Sequence, residues 1–236
     1  MPSSPVAVVT GGTGALGRSL LPKLLRRGFK VAVSYLVPNE ATEIEDFLDV
    51  KENSLMLRRV DCTDSTATAA FMQQAADSFG QFNVVCPLIG GWAGGRDVVE
   101  TGDVRFERMI DLNLRTAFNT VRAAIPHMNG SEWGRIITVS SRAAVDTPAG
   151  QAAYNVAKAG VLALTKSVAA ELDDTSVTAN ALLPSAIDTE ATRAALPYAD
   201  YMRWPKPDDI ATVIDFLASP DSEVINGAGI PVHGKS

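Results

Sequence analysis

Two cysteines and two histidines are all that this 236-residue sequence offers a disulfide framework or an imidazole metal site. Cys62 and Cys86 lie apart and neither belongs to a C-x-x-C pair, so free buried thiols in a reducing compartment are expected. His127 and His233 are far apart in sequence, and no metal is expected. Basic charge is also short: 21 Lys and Arg stand against 27 Asp and Glu, a net charge of -6. That balance argues against nucleic acid or an anionic membrane as the partner. No apolar run approaches the ~18 residues that a spanning helix needs. The opening "MPSSPVAVVTGG" runs straight into a strand-like segment with no basic region before a longer apolar stretch, so a cytoplasmic protein is expected. Linkers, low-complexity tracts and solenoid repeats are missing as well.

What is present is an ordinary globular composition, 46% hydrophobic and 20% charged. Short apolar runs at 6–10, 30–34, 54–59, 83–87, 135–140, 177–182 and 230–232 read as strands buried on both faces. Longer stretches between them read as helices: 15–27, 39–50, 65–79, 104–128, 152–172 and one from 207 to just before Pro220. Gly28 and Gly80 mark C-terminal stops, and Ser65 marks a start. Strand–helix alternation from end to end predicts a single α/β domain over 1–236. Its expected core is a doubly wound, Rossmann-type parallel sheet of about seven strands with helices on both faces. The segment 185–207, rich in proline and aromatics and without a clear period, is the expected substrate lid.

The first strand is followed by a glycine-rich turn, "TGGTGALG", and a helix start. Gly11, Gly12 and Gly14 permit a tight turn and close backbone approach. With Thr13, Ala15 and Leu16 they would present helix N-terminal N–H groups to a pyrophosphate. At the end of the second strand, in "VAVSYLVPNE", an acidic residue would hold the ribose hydroxyls and reject a 2′-phosphate. That slot holds Tyr35 or Leu36, so NADP(H) is slightly favoured over NAD(H). Arg58 and Arg59 are candidate phosphate partners. Asp61, beside Cys62 in "DCTD", could accept from an adenine amine; the other reading is a helix-cap role shared with Asp64.

"AAYNVAKAG" places Tyr154 one helical turn before Lys158. Ser141 in "IITVSSRAA" precedes Tyr154 by thirteen residues, and Asn113 in "DLNLRT" precedes Ser141 by twenty-eight. With the glycine turn at 10–17 and "PSAIDT" at 184–189, these residues resemble the short-chain dehydrogenase/reductase family over nearly the whole chain. The resemblance implies an NAD(P)(H)-dependent oxidoreductase with an Asn113–Ser141–Tyr154–Lys158 tetrad. Tyr154 would exchange a proton with a carbonyl or alcohol oxygen, its pKa lowered by the nearby ammonium. Lys158 would also bond the nicotinamide ribose, Ser141 would hold the substrate oxygen, and Asn113 would anchor a relay water. Thr189 and the backbone at Ile187 would fix the carboxamide, and Pro184 would also border the cofactor. Gly90 and Gly91 occupy the segment after the fourth strand that borders the cofactor.

Three positions depart from the family pattern: Ala15 at a glycine position, "PLIG" at 87–90, and Ser185 after Pro184. "IGGWAGG" at 89–95, "GGTGALG", "AAVDTPAG" at 143–150 and the segment 182–204 resemble the dihydropteridine reductase branch. There Trp92 would wall a flat heterocyclic substrate. Animal-type members of that branch lack the tetrad Ser and Asn, which this chain has. The substrate readings are therefore a carbonyl/alcohol pair or a quinonoid dihydropteridine; a nucleotide-sensing regulator without turnover is the rival of another class. Long helices with small and apolar residues on more than one face (Ala117, Ala123, Ala163, Ala169) predict a homodimer or homotetramer.

Overall fold

The computed structural model describes residues 4–48 and 53–235. Seven strands form one parallel sheet in the order β3-β2-β1-β4-β5-β6-β7. They are β1 Val6–Thr10, β2 Lys30–Tyr35, β3 Leu55–Arg59, β4 Val84–Pro87, β5 Gly134–Val139, β6 Val177–Pro184 and β7 Gly229–Val232. Helices connect them: α1 Ala15–Arg26, α2 Pro38–Phe47, α3 Ser65–Phe79, α4 Asp103–Met109, α5 Thr116–Ala124, α6 Ala143–Asp146, α7 Ala152–Glu171, α8 Glu190–Ala195 and α9 Pro207–Leu217. The last two residues of the helix expected at 39–50 lie outside the described residues.

The alternation of β1 divides the core. Ala7 and Val9 enter one apolar cluster with Leu20, Leu24, Ile210 and Ile214, from α1 and α9. Val6 and Val8 enter the other with Phe71, Met72, Val121 and Val168, from α3, α5 and α7. A strand flanked by helices on both faces has no solvated side, and all five residues of β1 are buried. Strand order reverses between β1 and β4, so a crevice opens beyond the carboxyl ends of those two strands.

The expected helix over 104–128 is in fact four consecutive segments. A π-helical turn, Ile110–Arg115, separates α4 from α5, and a 3-10 turn, Ile125–His127, follows. At this turn the hydrogen-bond ladder slips by one residue, from i→i−4 to i→i−5. Asp64, and not Ser65, caps α3: its side chain accepts from the Thr66 and Ala67 N–H groups. Residues 185–207 hold α8 and a 3-10 turn at Tyr201–Arg203.

Candidate active site

The glycine turn leaves β1 at the crevice. The Gly11 N–H bonds both the backbone oxygen and the hydroxyl of Ser34, at 3.0 and 3.2 Å. Gly11 has φ +70°, and a Cβ there would come within 2.6 Å of Ile89 Cγ1. At Gly17 a Cβ would sit 2.1 Å from the Gly12 carbonyl oxygen, so helix and turn touch backbone to backbone. Helix α1 starts at Gly14 with no side-chain cap, so no side chain takes up its first-turn N–H groups. A positive helix end, a glycine cradle and a cleft of about 870 Å³ beside them fit a dinucleotide. The cleft is bordered by Gly11, Thr13 and Gly14, by Ser34–Val37 and Glu40, by Val60–Thr63, and by Leu88–Gly90.

The expected cofactor residues divide within this region. Gly11, Thr13, Gly14, Tyr35, Asp61, Cys62 and Gly90 line the cleft. Gly12 packs against Val33 and Val9, and Leu16 packs against the core. Ala15 is exposed at the start of α1. Asp61 accepts from both the N–H and the hydroxyl of Thr63, which lowers its carboxyl pKa; the cap belongs to Asp64 alone. Cys62 and Cys86 are free buried thiols whose pKa values burial raises, Cys86 to about 12. Arg58 turns to Gln74 and to the Leu57 carbonyl, while Arg59 donates to the Leu36 carbonyl.

At the other end of the crevice, Asn113 rides on the π turn. Its amide nitrogen donates to the Gly91 carbonyl at 3.0 Å and to the Met109 carbonyl at 3.1 Å, and its Oδ1 accepts the Gly91 N–H at 3.1 Å. The π turn shifts the backbone ladder by one residue, as the Thr116 N–H to the Asp111 carbonyl shows, and the Asn113 side chain takes up the Met109 carbonyl. A Cβ at Gly90 would lie 3.0 Å from Asn113 Oδ1 and 3.2 Å from Lys158 Nζ. Three of the expected residues, Gly90, Asn113 and Lys158, therefore meet at one point.

Lys158 is 6% exposed, and its Nζ donates to the Val139 carbonyl at 2.9 Å. Burial lowers the ammonium pKa to about 8. Ser140 donates to the Lys158 carbonyl at 2.7 Å, joining the end of β5 to α7. Ser141 follows on the same segment, with its Oγ accepting the Ala143 N–H, and its hydroxyl favours the ionised form of Tyr154.

The expected lowering of the Tyr154 pKa needs correction. In the protein chain itself that pKa is raised, because burial of a phenolate outweighs the opposing influence of the Ser141 hydroxyl. The Lys158 ammonium lies 5.9 Å from the centre of the phenol ring and is engaged with a backbone carbonyl.

Trp92 is 43% exposed and does not border the cleft. Its Nε1 donates to Gln151 Oε1 at 2.8 Å, and its ring lies over Gly94, where a Cβ would meet Cζ2 at 2.3 Å. The tryptophan loop is thereby fastened to the residue preceding α7, the helix of Tyr154 and Lys158. The Pro184 carbonyl accepts the Arg142 N–H at the end of β6. Ile187 packs against the core, and the Thr189 hydroxyl caps α8 by accepting the Thr192 N–H. Sequence reasoning passed over Glu40, whose Oε2 accepts from the Thr13 hydroxyl at 2.7 Å, and Gln151. Glu40 was in view five positions beyond Tyr35, but a motif reading looks for its acid at the strand end. Among the described residues no cluster of His, Cys, Asp or Glu could hold a metal ion, and no helix is long and apolar enough to cross a membrane.

Comparison with known proteins places this geometry. The family described as short chain dehydrogenase matches residues 5–198. A 3-oxoacyl-[acyl-carrier-protein] reductase of Staphylococcus aureus is 31% identical, covering 97% of this chain and 96% of its own. A similarly named reductase of Mycobacterium bovis is 31% identical, covering 96% of this chain and 90% of its own. Among solved structures, a short-chain dehydrogenase/reductase from Serratia marcescens superposes with a TM-score of 0.90 at 28% identity. That likeness covers 99% of this chain and 98% of the other.

Proposed function

This chain belongs to the short-chain dehydrogenase family, and from that premise we propose that it interconverts a carbonyl and an alcohol through Tyr154, Ser141, Lys158 and Asn113. The observation that carries the proposal is the buried Lys158 amine, 5.9 Å from the centre of the Tyr154 ring and meeting Asn113 at Gly90. A bound nicotinamide supplies or accepts the hydride. Tyr154, held as the neutral phenol by burial, carries the proton that a reduced carbonyl oxygen needs. Ser141 donates to the same oxygen as charge develops on it. Lys158, with a pKa near 8, exchanges protons close to neutral pH and stands behind Tyr154 as its donor. Asn113 holds the Gly91 backbone in place and borders the Lys158 amine. Turnover of a carbonyl panel by the wild type and Tyr154→Phe tests the assignment. Equal turnover would remove Tyr154 from the chemistry, and tight nucleotide binding with no turnover anywhere on the panel would support the regulator instead.

The dinucleotide belongs to the NAD(P)(H) class. The end of β2 alone leans to NADP(H), but an acid from α2 also borders that part of the cleft. A second substrate reading, a quinonoid dihydropteridine, is supported by the half-exposed indole of Trp92 fastened at the mouth of α7. A 3-oxoacyl thioester enters through the names of the relatives. Assay of all three compounds separates the readings, because Trp92→Ala should slow a pterin far more than a small ketone. Residues 185–207 would close over the substrate. Exposed apolar side chains on α4, α5 and α7 (Val104, Phe106, Phe118, Val156) would pair with a second copy; light scattering that finds only monomer at micromolar concentration would refute that pairing.

A further inference from the structure

We infer that Glu40 makes this protein an NAD(H) enzyme: with Thr13 it takes the adenosine ribose hydroxyls and turns away a 2′-phosphate. The inference rests on the reading of the cleft as a dinucleotide site and names a residue that selects between the two nucleotides. The selecting acid comes from the first turn of α2, five residues past Tyr35 at the end of β2, and reaches back across the cleft mouth to the phosphate turn.

Thr13 is 4% exposed, so its hydroxyl has little freedom, and it donates to Glu40 Oε2 at 2.7 Å. Both residues border the cleft on the side where β2 ends. A carboxylate at that edge offers acceptors to a vicinal diol, and charge-assisted bonds of this kind are the stronger ones. A 2′-phosphate in the same place brings about two negative charges against the carboxylate.

Cations near the turn are already engaged. Arg18 donates through Nε to the Thr13 carbonyl at 2.8 Å and through Nη2 to Glu43 at 2.5 Å. Arg59 donates to the Leu36 carbonyl from outside the cleft lining. The cleft wall itself carries Glu40, Asp61, Asp103, Glu107 and Asp111 against Arg108. Even in a water-like dielectric, two charges about 5 Å from a carboxylate correspond to roughly 20-fold weaker binding.

Isothermal titration of the full chain with NAD+ and with NADP+ tests this without turnover. NAD+ should bind the wild type about 20-fold or more tightly than NADP+. In Glu40→Gln and Glu40→Ala the NADP+ affinity should rise about tenfold while that of NAD+ falls, bringing the ratio towards unity. Using two variants guards against one that fails to fold. NADP+ binding to the wild type as tightly as NAD+, or a ratio unchanged in the variants, overturns the role of Glu40 and leaves the oxidoreductase standing. Binding of neither nucleotide overturns both.

Discussion

On the β1–β2 side of the crevice the chain meets the ligand space with backbone. Gly11 lies against Ile89, Gly17 against the Gly12 carbonyl, and the side chains that border the space mix apolar and polar groups with two acids, Glu40 and Asp61. On the β4–β6 side it does so with buried polar side chains: Asn113, Ser140, Ser141 and Lys158 are each under one-tenth exposed and each has a named partner. The first side is shaped by what is left out of the sequence, the second by groups whose burial is tolerated only because each is hydrogen-bonded. Damage should therefore differ between the two. A methyl group added to the glycine side should displace backbone, whereas an atom removed from the polar side should strand a buried partner.

The sharpest division is chemical. Tyr154→Phe should lower turnover by about 10²–10⁴ with nucleotide affinity unchanged, since the cleft at Gly11, Thr13 and Glu40 does not include the phenol. Loss of affinity alongside turnover, seen by titration, would break the separation of the two sides.

On the glycine side, Gly17→Ala should destabilise the fold by about 2–3 kcal/mol. The new methyl meets a backbone oxygen at 2.1 Å and has no flexible side chain to push aside. Urea unfolding measures the cost, and the variant should also bind nucleotide less well because the turn itself must move.

On the polar side, Asn113→Ala leaves the Gly91 N–H, the Gly91 carbonyl and the Met109 carbonyl without their amide partner. About 1–3 kcal/mol of stability should be lost, and hydrogen exchange at Gly91 should accelerate. Protection of Gly91 as in the wild type would show that the loop is held by other contacts.

The last effect is a pH-dependent one at Lys158. The pKa of its amine in the folded chain is about 8, below the ordinary lysine value of about 10.4. Between those values the unfolded chain binds more protons, so stability rises with pH. The unfavourable contribution is full below pH 8 and gone above about 10.4. Lys158→Met removes this contribution. Its melting temperature relative to the wild type should be highest below pH 8 and should fall steadily towards pH 10.4. A pH-independent difference would mean that the amine is not held in a low-dielectric site.

Much of this was legible in the residues. The alternation of strands and helices, the apolar strands and the glycine stops at Gly28 and Gly80 depend on local spacing and local backbone freedom, and all appear where they were expected. The family tetrad was legible for the same reason, as a set of intervals along the chain. The π turn under Asn113 was not, because it is defined by which backbone carbonyl each N–H reaches and not by a residue type. Glu40 was not recognised because its contact with Thr13 spans twenty-seven positions, which no local pattern encodes.

The amino-acid order by itself determined the sheet and its helical cover, since those follow from periodicity; the proposed proton-transfer groups came from its resemblance to a family. Only the tertiary structure decided their electrostatics. The phenol of Tyr154 is pushed up and the amine of Lys158 down because the packed strands and helices remove water from both. Folding also brings the first turn of α2 against the glycine loop and sets an acid, Glu40, at the edge of the cleft. Solvation and distance are properties of the assembled molecule, which is why neither could be read along the chain.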